Sequence, residues 1–294
     1  MLIKKTAENH LKIIVLLLIE KIYFCKMFKT RLTLLAFMLI TIGLSSCGKF
    51  QKLLKSTDYE EKYAMALEFF ENEDYNKTLQ LFDQISPIYR GTDKAQKIEF
   101  MYAMCHYNQR DYILASYYFK RFYQAYPKAP EAEQALFLSA YSNYMDSPRA
   151  SLDQKTTVEA IQEMKLFISR FPKSDKVAEA NELIKEMDSR LELKAFNMAK
   201  LYLKMNDYKA AVAAFKSFIK QYQSSMYHEE AMFLIIKANY EYAVNSIAYK
   251  QEERFSQTSE AYVDFVSQFP ESEYLKDADK MNAVAATYIT KQVE

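Results

Sequence analysis

The residues with the widest chemical repertoire are few, and their spacing excludes most of what they could do. Cysteine occurs only at Cys25, Cys47 and Cys105, and histidine only at His10, His106 and His228. His106 and His228 lie in different segments and cannot supply a metal cluster on their own. No H-E-x-x-H, C-x-x-C or G-x-S-x-G occurs, and no nucleophile has an adjacent base. Cys105 stands among apolar neighbours in "MYAMCHY", which marks it as a small core residue, and His106 beside it is expected to be packed or hydrogen-bonded. The acidic pairs Glu60-Glu61 and Glu252-Glu253 read as solvated helix faces. These patterns predict no catalytic residue, no metal and no cofactor; the chain is expected not to be an enzyme.

Cys47 is the exception, because of what precedes it. "MFKTRLTLLAFMLITIGLSSC" opens at Met27, places Lys29 and Arg31 before the uncharged run 32–44, and ends on small residues and Cys47. A basic start, an apolar run and small residues before the cut form a secretory signal. Leu44-Ser45-Ser46-Cys47 resembles the bacterial lipobox, in which the cysteine becomes the lipidated first residue of the mature protein. The run is short for a membrane span, which needs about 20 apolar residues. Residues 1–47 are therefore read as a signal region, with Met27 as the expected start and 1–26 as an upstream extension. Residues 48–57 form a short basic stalk carrying Lys49, Lys52 and Lys55, suited to anionic head groups beside the anchor, or equally an ordinary polar linker. Beyond residue 47 the chain keeps 32 basic against 36 acidic residues, a net charge of −4. That balance does not suggest nucleic acid.

The elements that must position anything else are helices. Only Gly43, Gly48 and Gly91 occur, whereas strand-rich folds need glycine at turns and bulges and phosphate loops need it for close approach. The abundance of Ala, Leu, Lys, Glu and Met favours helix. One apolar pattern recurs: "DYILASYYFKRFYQAYP" repeats as "DYKAAVAAFKSFIKQYQ", and earlier as "DYNKTLQLFDQISPIYR". Divergent copies run through Ala160, Met164, Phe167 and Phe171, and through Phe255, Thr258, Tyr262, Phe265 and Phe269. Their spacing puts the repeated residues on one helix face. Asp74, Asp111 and Asp207 stand where an N-cap or first-turn acid belongs, and Pro127, Pro172 and Pro270 end the helix. A small residue, Ala66, Ala103 or Ala199, precedes each first tyrosine and lets a partner helix approach.

The unit is thus a helical hairpin of about 34 residues, and it resembles the tetratricopeptide repeat. The expected fold is an all-α tetratricopeptide-repeat superhelix of about five hairpins plus a C-terminal capping helix, each hairpin covering its neighbour's apolar face. Repeats 1–3 occupy 58–172; repeats 4–5 and the capping helix occupy 173–294. Polar inserts are expected at 145–157 and 245–257, and one long helix from Asp175 to Asn206. The first helices of such hairpins line the concave side, which places Tyr63, Phe70, Phe100, Tyr107, Phe137, Tyr141 and Tyr144 along a candidate peptide groove. Aromatic rings offer large contact area at modest entropy cost.

Cys47, "DYNKTLQLFDQISPIYRG" followed by "DKAQ", "RDYILASYYFKRFYQAYPKAP" and "YSNYMDS" together resemble the BamD family of outer-membrane assembly lipoproteins. One departure is Tyr89-Arg90-Gly91, which lacks the proline of the family's Tyr-Pro-Phe-Gly. The resemblance implies a non-enzymatic scaffold on the periplasmic face of the cell outer membrane, held in its lipid through acylated Cys47. It implies two partners: a BamA-like outer-membrane barrel protein, and extended segments of unfolded outer-membrane proteins, which often end in an aromatic residue. Gly48 after the cysteine is compatible with outer-membrane sorting. The alternative is a generic periplasmic tetratricopeptide lipoprotein scaffolding cell-wall enzymes. A glycan-capturing nutrient-binding lipoprotein normally has a longer chain and tryptophan platforms, and this chain has no tryptophan.

Overall fold

The structure, a computed structural model, describes residues 48–290; Cys25, Cys47, Met27 and the rest of the signal region lie outside the described residues. Every regular element among the described residues is helical, as the glycine-poor, helix-favouring composition requires. The chain divides into two compact units, one up to Ile98 and one from Glu99 onward.

In the first unit, α1 covers 48–55, α2 covers Tyr59–Glu71 and α3 covers Tyr75–Ile85. Asp58 and Asp74 cap α2 and α3, accepting from the backbone N–H of Glu61 at 2.9 Å and Lys77 at 3.3 Å. The segment read as a stalk is a docked helix instead. Phe50 and Leu53, one turn apart on α1, are buried, and the Phe50 ring meets Phe69 edge-on at 5.5 Å. Lys62, 3% exposed, completes the attachment. Its Nζ donates to the Leu54 carbonyl near the end of α1 at 3.1 Å and to Gln84 Oε1 at 2.6 Å. A buried ammonium needs such partners, and here they include an orphan carbonyl of the helix end.

The second unit continues through α4 (Asp93–Asn108, from Glu99), α5 (Tyr112–Ala125), α6 (Ala132–Asp146), α7 (Lys155–Arg170), α8 (Val177–Lys204), α9 (Tyr208–Gln221), α10 (His228–Val244), α11 (Ala248–Gln268) and α12 (Leu275–Thr290). From α5 on, each helix packs on the next, and α10 also meets α12. The repeated face is the core. Thr78, Ala115, Ala160, Ala211 and Thr258 are wholly buried, as are Phe82, Phe119, Met164 and Phe215 one turn later. Ala66, Ala103 and Ala199 have no exposed surface. Side chains this small allow helix axes to approach closely.

Asp111 and Asp207 cap α5 and α9 as Asp74 caps α3, accepting from Leu114 N at 3.3 Å and Ala210 N at 3.2 Å. Just before each of these three aspartates, Glu73, Arg110 and Asn206 take positive φ of 60–62°. The left-handed residue lets the hairpin reverse direction, and the aspartate N–H then returns to Phe69, His106 or Tyr202 at 2.8–3.0 Å.

The far ends of these helices are also alike. Tyr126, Phe171, Tyr222 and Phe269 adopt φ between −121° and −129° and ψ between 61° and 66°. Each N–H bonds a carbonyl four residues back at 2.8 Å. Three of these aromatics precede proline and Tyr222 precedes Gln223, so the cap geometry does not depend on proline. Because Tyr222 already holds the conformation that residues before proline adopt in this chain, Gln223→Pro is expected to stabilise the fold by about 0.4–1 kcal/mol. Urea unfolding checks this, and a lower midpoint would contradict it.

The irregularities differ from the sequence pattern in one place. The long helix is α8, 28 residues. The first insert is a true loop at 147–154, fastened by Gln154 Nε2 to the Arg149 carbonyl at 2.9 Å, and by α8 through Lys194 Nζ to the Leu152 carbonyl at 2.5 Å. The second expected insert, 245–257, is mostly helix. α11 begins at Ala248 and runs for 21 residues, because Phe255 and Thr258 extend its buried face back toward the turn.

Candidate functional site

The second unit places Tyr107 of α4 and Phe137 and Tyr141 of α6 around one cleft. Spaced four residues apart, Phe137 and Tyr141 fall on one face of α6. Their rings stack at 5.8 Å and 23°, and Tyr107 lies 6.4 Å from Tyr141. The cleft has a volume of ≈ 510 Å³. Pro130, Glu133 and Gln134 border it on the α6 side, and Asp175, Lys176 and Glu179 on the side where α8 begins. Phe137 is 6% exposed and forms the floor, whereas Tyr107 and Tyr141 are half-buried walls.

The charge around the cleft comes from residues that sequence patterning passed over. Lys176 holds its ammonium 5.5 Å from the Phe137 ring centroid and bonds Glu179 at 2.9 Å. The Glu179 hydrogen bond raises the Lys176 pKa further. Burial, with Tyr141 and Glu179 adding to it, raises the Tyr107 phenol above its ordinary value. Tyr107 is therefore a neutral hydrogen-bonding surface at any physiological pH. A cleft with an aromatic floor, one cation over it and acids at the rim can hold an extended segment with an aromatic side chain. The α8 rim residues carry no aromatic or repeat signal; their signal is position, in the turn between one repeat and the next helix.

The other groove candidates are placed differently. Tyr144 is at the end of the α6 stripe, but its hydroxyl donates to Glu186 at 2.7 Å and Arg190 lies over its ring at 5.2 Å. Arg190 also bonds Ser147 Oγ at 3.1 Å, so this cluster anchors the 147–154 loop. The Arg190 hydrogen bond, with the Tyr144 one, holds the Glu186 carboxyl below its usual range. Phe100 is half-buried, its ring packed against Phe119 at 5.8 Å and Phe122 at 5.3 Å in the α4–α5 hairpin, and it does not line this cleft. In the first unit, Tyr63 is half-buried against Tyr89 at 5.7 Å with the Lys94 ammonium 4.9 Å from its ring. Glu60 ties that cluster, accepting from the Tyr89 hydroxyl at 2.9 Å and from Lys94 at 2.5 Å. Phe70 sits edge-on to Tyr75 at 5.7 Å across the α2–α3 turn. Cys47 is outside the described residues.

Behind the cleft, Glu163 of α7 is a buried carboxylate at 8% exposure. It accepts from Lys120 of α5 at 2.7 Å, and from Ser139 at 2.8 Å and Asn143 at 3.2 Å on α6. Three helices are thereby fixed in register by one satisfied charge. Cys105 is fully buried, and desolvation pushes its thiol up to about 12. It is core, not a nucleophile. No helix among the described residues is long and apolar enough to cross a membrane.

Residues 55–255 match the family model YfiO, described as an outer membrane lipoprotein. The chain is 23% identical over 210 residues to the outer membrane protein assembly factor BamD of Caulobacter vibrioides, covering 69% of this chain and 68% of that one. The protein of the same name from Neisseria gonorrhoeae is 24% identical over 255 residues, covering 81% and 91%. That of Pasteurella multocida is 19% identical over 222 residues, covering 72% and 85%.

Proposed function

The chain belongs to the YfiO family of outer membrane lipoproteins, and from that premise we propose that it is a non-catalytic scaffold of outer-membrane β-barrel protein assembly. Cys47 carries the lipid that holds it on the periplasmic face of the outer membrane. Its repeats hold a BamA-like barrel subunit, and the cleft of Tyr107, Phe137 and Tyr141 receives extended segments of unfolded barrel substrates.

The observation that carries this reading is the family match across 55–255, which includes the repeats from α2 to well into α11, together with the assembly-factor name shared by the relatives. The cleft supports its substrate part. Flat aromatic walls take an extended chain without requiring one sequence. Affinity purification of the intact protein from detergent-solubilised membranes is expected to recover a BamA-like barrel protein in comparable amount. Recovery of cell-wall enzymes alone would instead make it a scaffold for those enzymes.

A further inference from the structure

The first unit contains a cavity of ≈ 550 Å³ between α1, α2 and α3 that the assembly role leaves without a use. Its lining is apolar where the helices meet: Phe50 and Leu53 from α1, Met65 and Phe69 from α2. Its charged groups are unevenly placed. Lys77 of α3 is bound to Asp74 at 2.5 Å and rests over the Phe69 and Phe50 rings at 5.0 and 5.7 Å. Glu61 contributes a carboxylate on the α2 side. The α1 wall carries Lys49 and Lys52, one turn apart and both exposed. Anionic character in a ligand is therefore favoured at the α1 wall, beside an apolar surface. That wall is also the part of the described chain nearest in sequence to Cys47.

We propose that this cavity seats the head of one anionic phospholipid of the anchoring membrane. Its phosphate lies against Lys49 and Lys52, and its first methylenes lie on Phe50, Leu53, Met65 and Phe69. The inference rests on the reading of Cys47 as a lipid anchor, which brings α1 to the head-group layer. A membrane-bound protein then meets such lipids at high local concentration, and two lysines give the site its preference for negative charge. The fixed position of α1, held by Lys62, makes the site a pocket, since a mobile basic tail would have no methylene-sized apolar wall beside its charges.

The protein extracted from membranes in detergent tests this by native mass spectrometry at near-physiological salt. Titration with phosphatidylglycerol is expected to give one saturable adduct. Phosphatidylcholine should bind about tenfold more weakly, and the variant Lys49→Ala/Lys52→Ala should lose about tenfold for phosphatidylglycerol with its thermal unfolding unchanged. Equal uptake of the two lipids, or an unaltered double variant, overturns the proposal. Displacement of the adduct by millimolar inorganic phosphate would make it a free-phosphate site and overturns it as well. The same spectra report the mass of the chain itself, so a missing acyl increment at Cys47 refutes the anchor, while the adduct pattern judges the pocket separately.

Discussion

Phe119→Ala is expected to destabilise the protein by about 3–5 kcal/mol, enough to open the hairpin that builds one wall of the cleft. Phe119 has no exposed surface and lies between Phe100 at 5.8 Å and Tyr107 at 6.2 Å. Around it are Ala103, Ala115 and Ala135, all wholly buried. Alanines cannot move into the space a phenyl ring leaves, so the cavity persists and its cost adds to the lost burial. A domain is stable by only about 5–15 kcal/mol in total, and in a repeat array each unit leans on its neighbours alone. The loss should therefore appear as a lower denaturant midpoint and as faster hydrogen exchange in α4–α6, with α10–α12 protected longer. A cost below about 1 kcal/mol would mean that the site collapses easily and that the α4–α6 core is packed differently.

Cys47→Ser is expected to remove the protein from the outer-membrane fraction after a carbonate wash, which strips proteins held only by partners. Among the described residues no helix is long and apolar enough to take over as a membrane span, and the three lysines on α1, Lys49, Lys52 and Lys55, offer about 1 kcal/mol each near an anionic surface. One acyl chain gives only marginal, reversible binding, while two signals suffice for stable anchoring. On the proposed anchoring, acylation of Cys47 is what retains the protein, and its removal should change the distribution almost completely while helicity by circular dichroism stays the same. Unchanged recovery in the washed outer-membrane fraction would place the anchor elsewhere.

The repeat was legible in the sequence because burial is periodic: the residues sharing the spacing of Tyr112, Ala115, Phe119 and Phe122 have to face a neighbour. The caps were legible for the same local reason, since an aspartate before Tyr75, Tyr112 or Tyr208 satisfies N–H groups no helix can satisfy itself. The turn residues just before those aspartates were not. Positive φ usually announces itself as glycine, and here Glu73, Arg110 and Asn206 adopt it. The α1 segment was hidden by its lysines; the signal it did carry was Phe50 and Leu53 at helical spacing. The candidate groove was legible only in part. Phe100 and Phe137 are the same residue type in the first helices of successive hairpins, and each packs on its own hairpin, Phe100 on Phe119 and Phe122 and Phe137 on Phe167, yet of the two Phe137 alone also lines the cleft. Residue type cannot separate these roles, because a ring wedged among Phe119 and Phe122 and a ring facing a cleft satisfy the same apolar pattern. Nor could it find Lys176, whose place over Phe137 depends on where α8 starts.

Depletion of the protein in its own host, followed by a quantitative inventory of outer-membrane proteins, tests the assembly role most directly. The account predicts that integral β-barrels fall together within a few generations while lipoproteins other than this one keep their levels. Barrels that remain at normal abundance in fully depleted cells would contradict it.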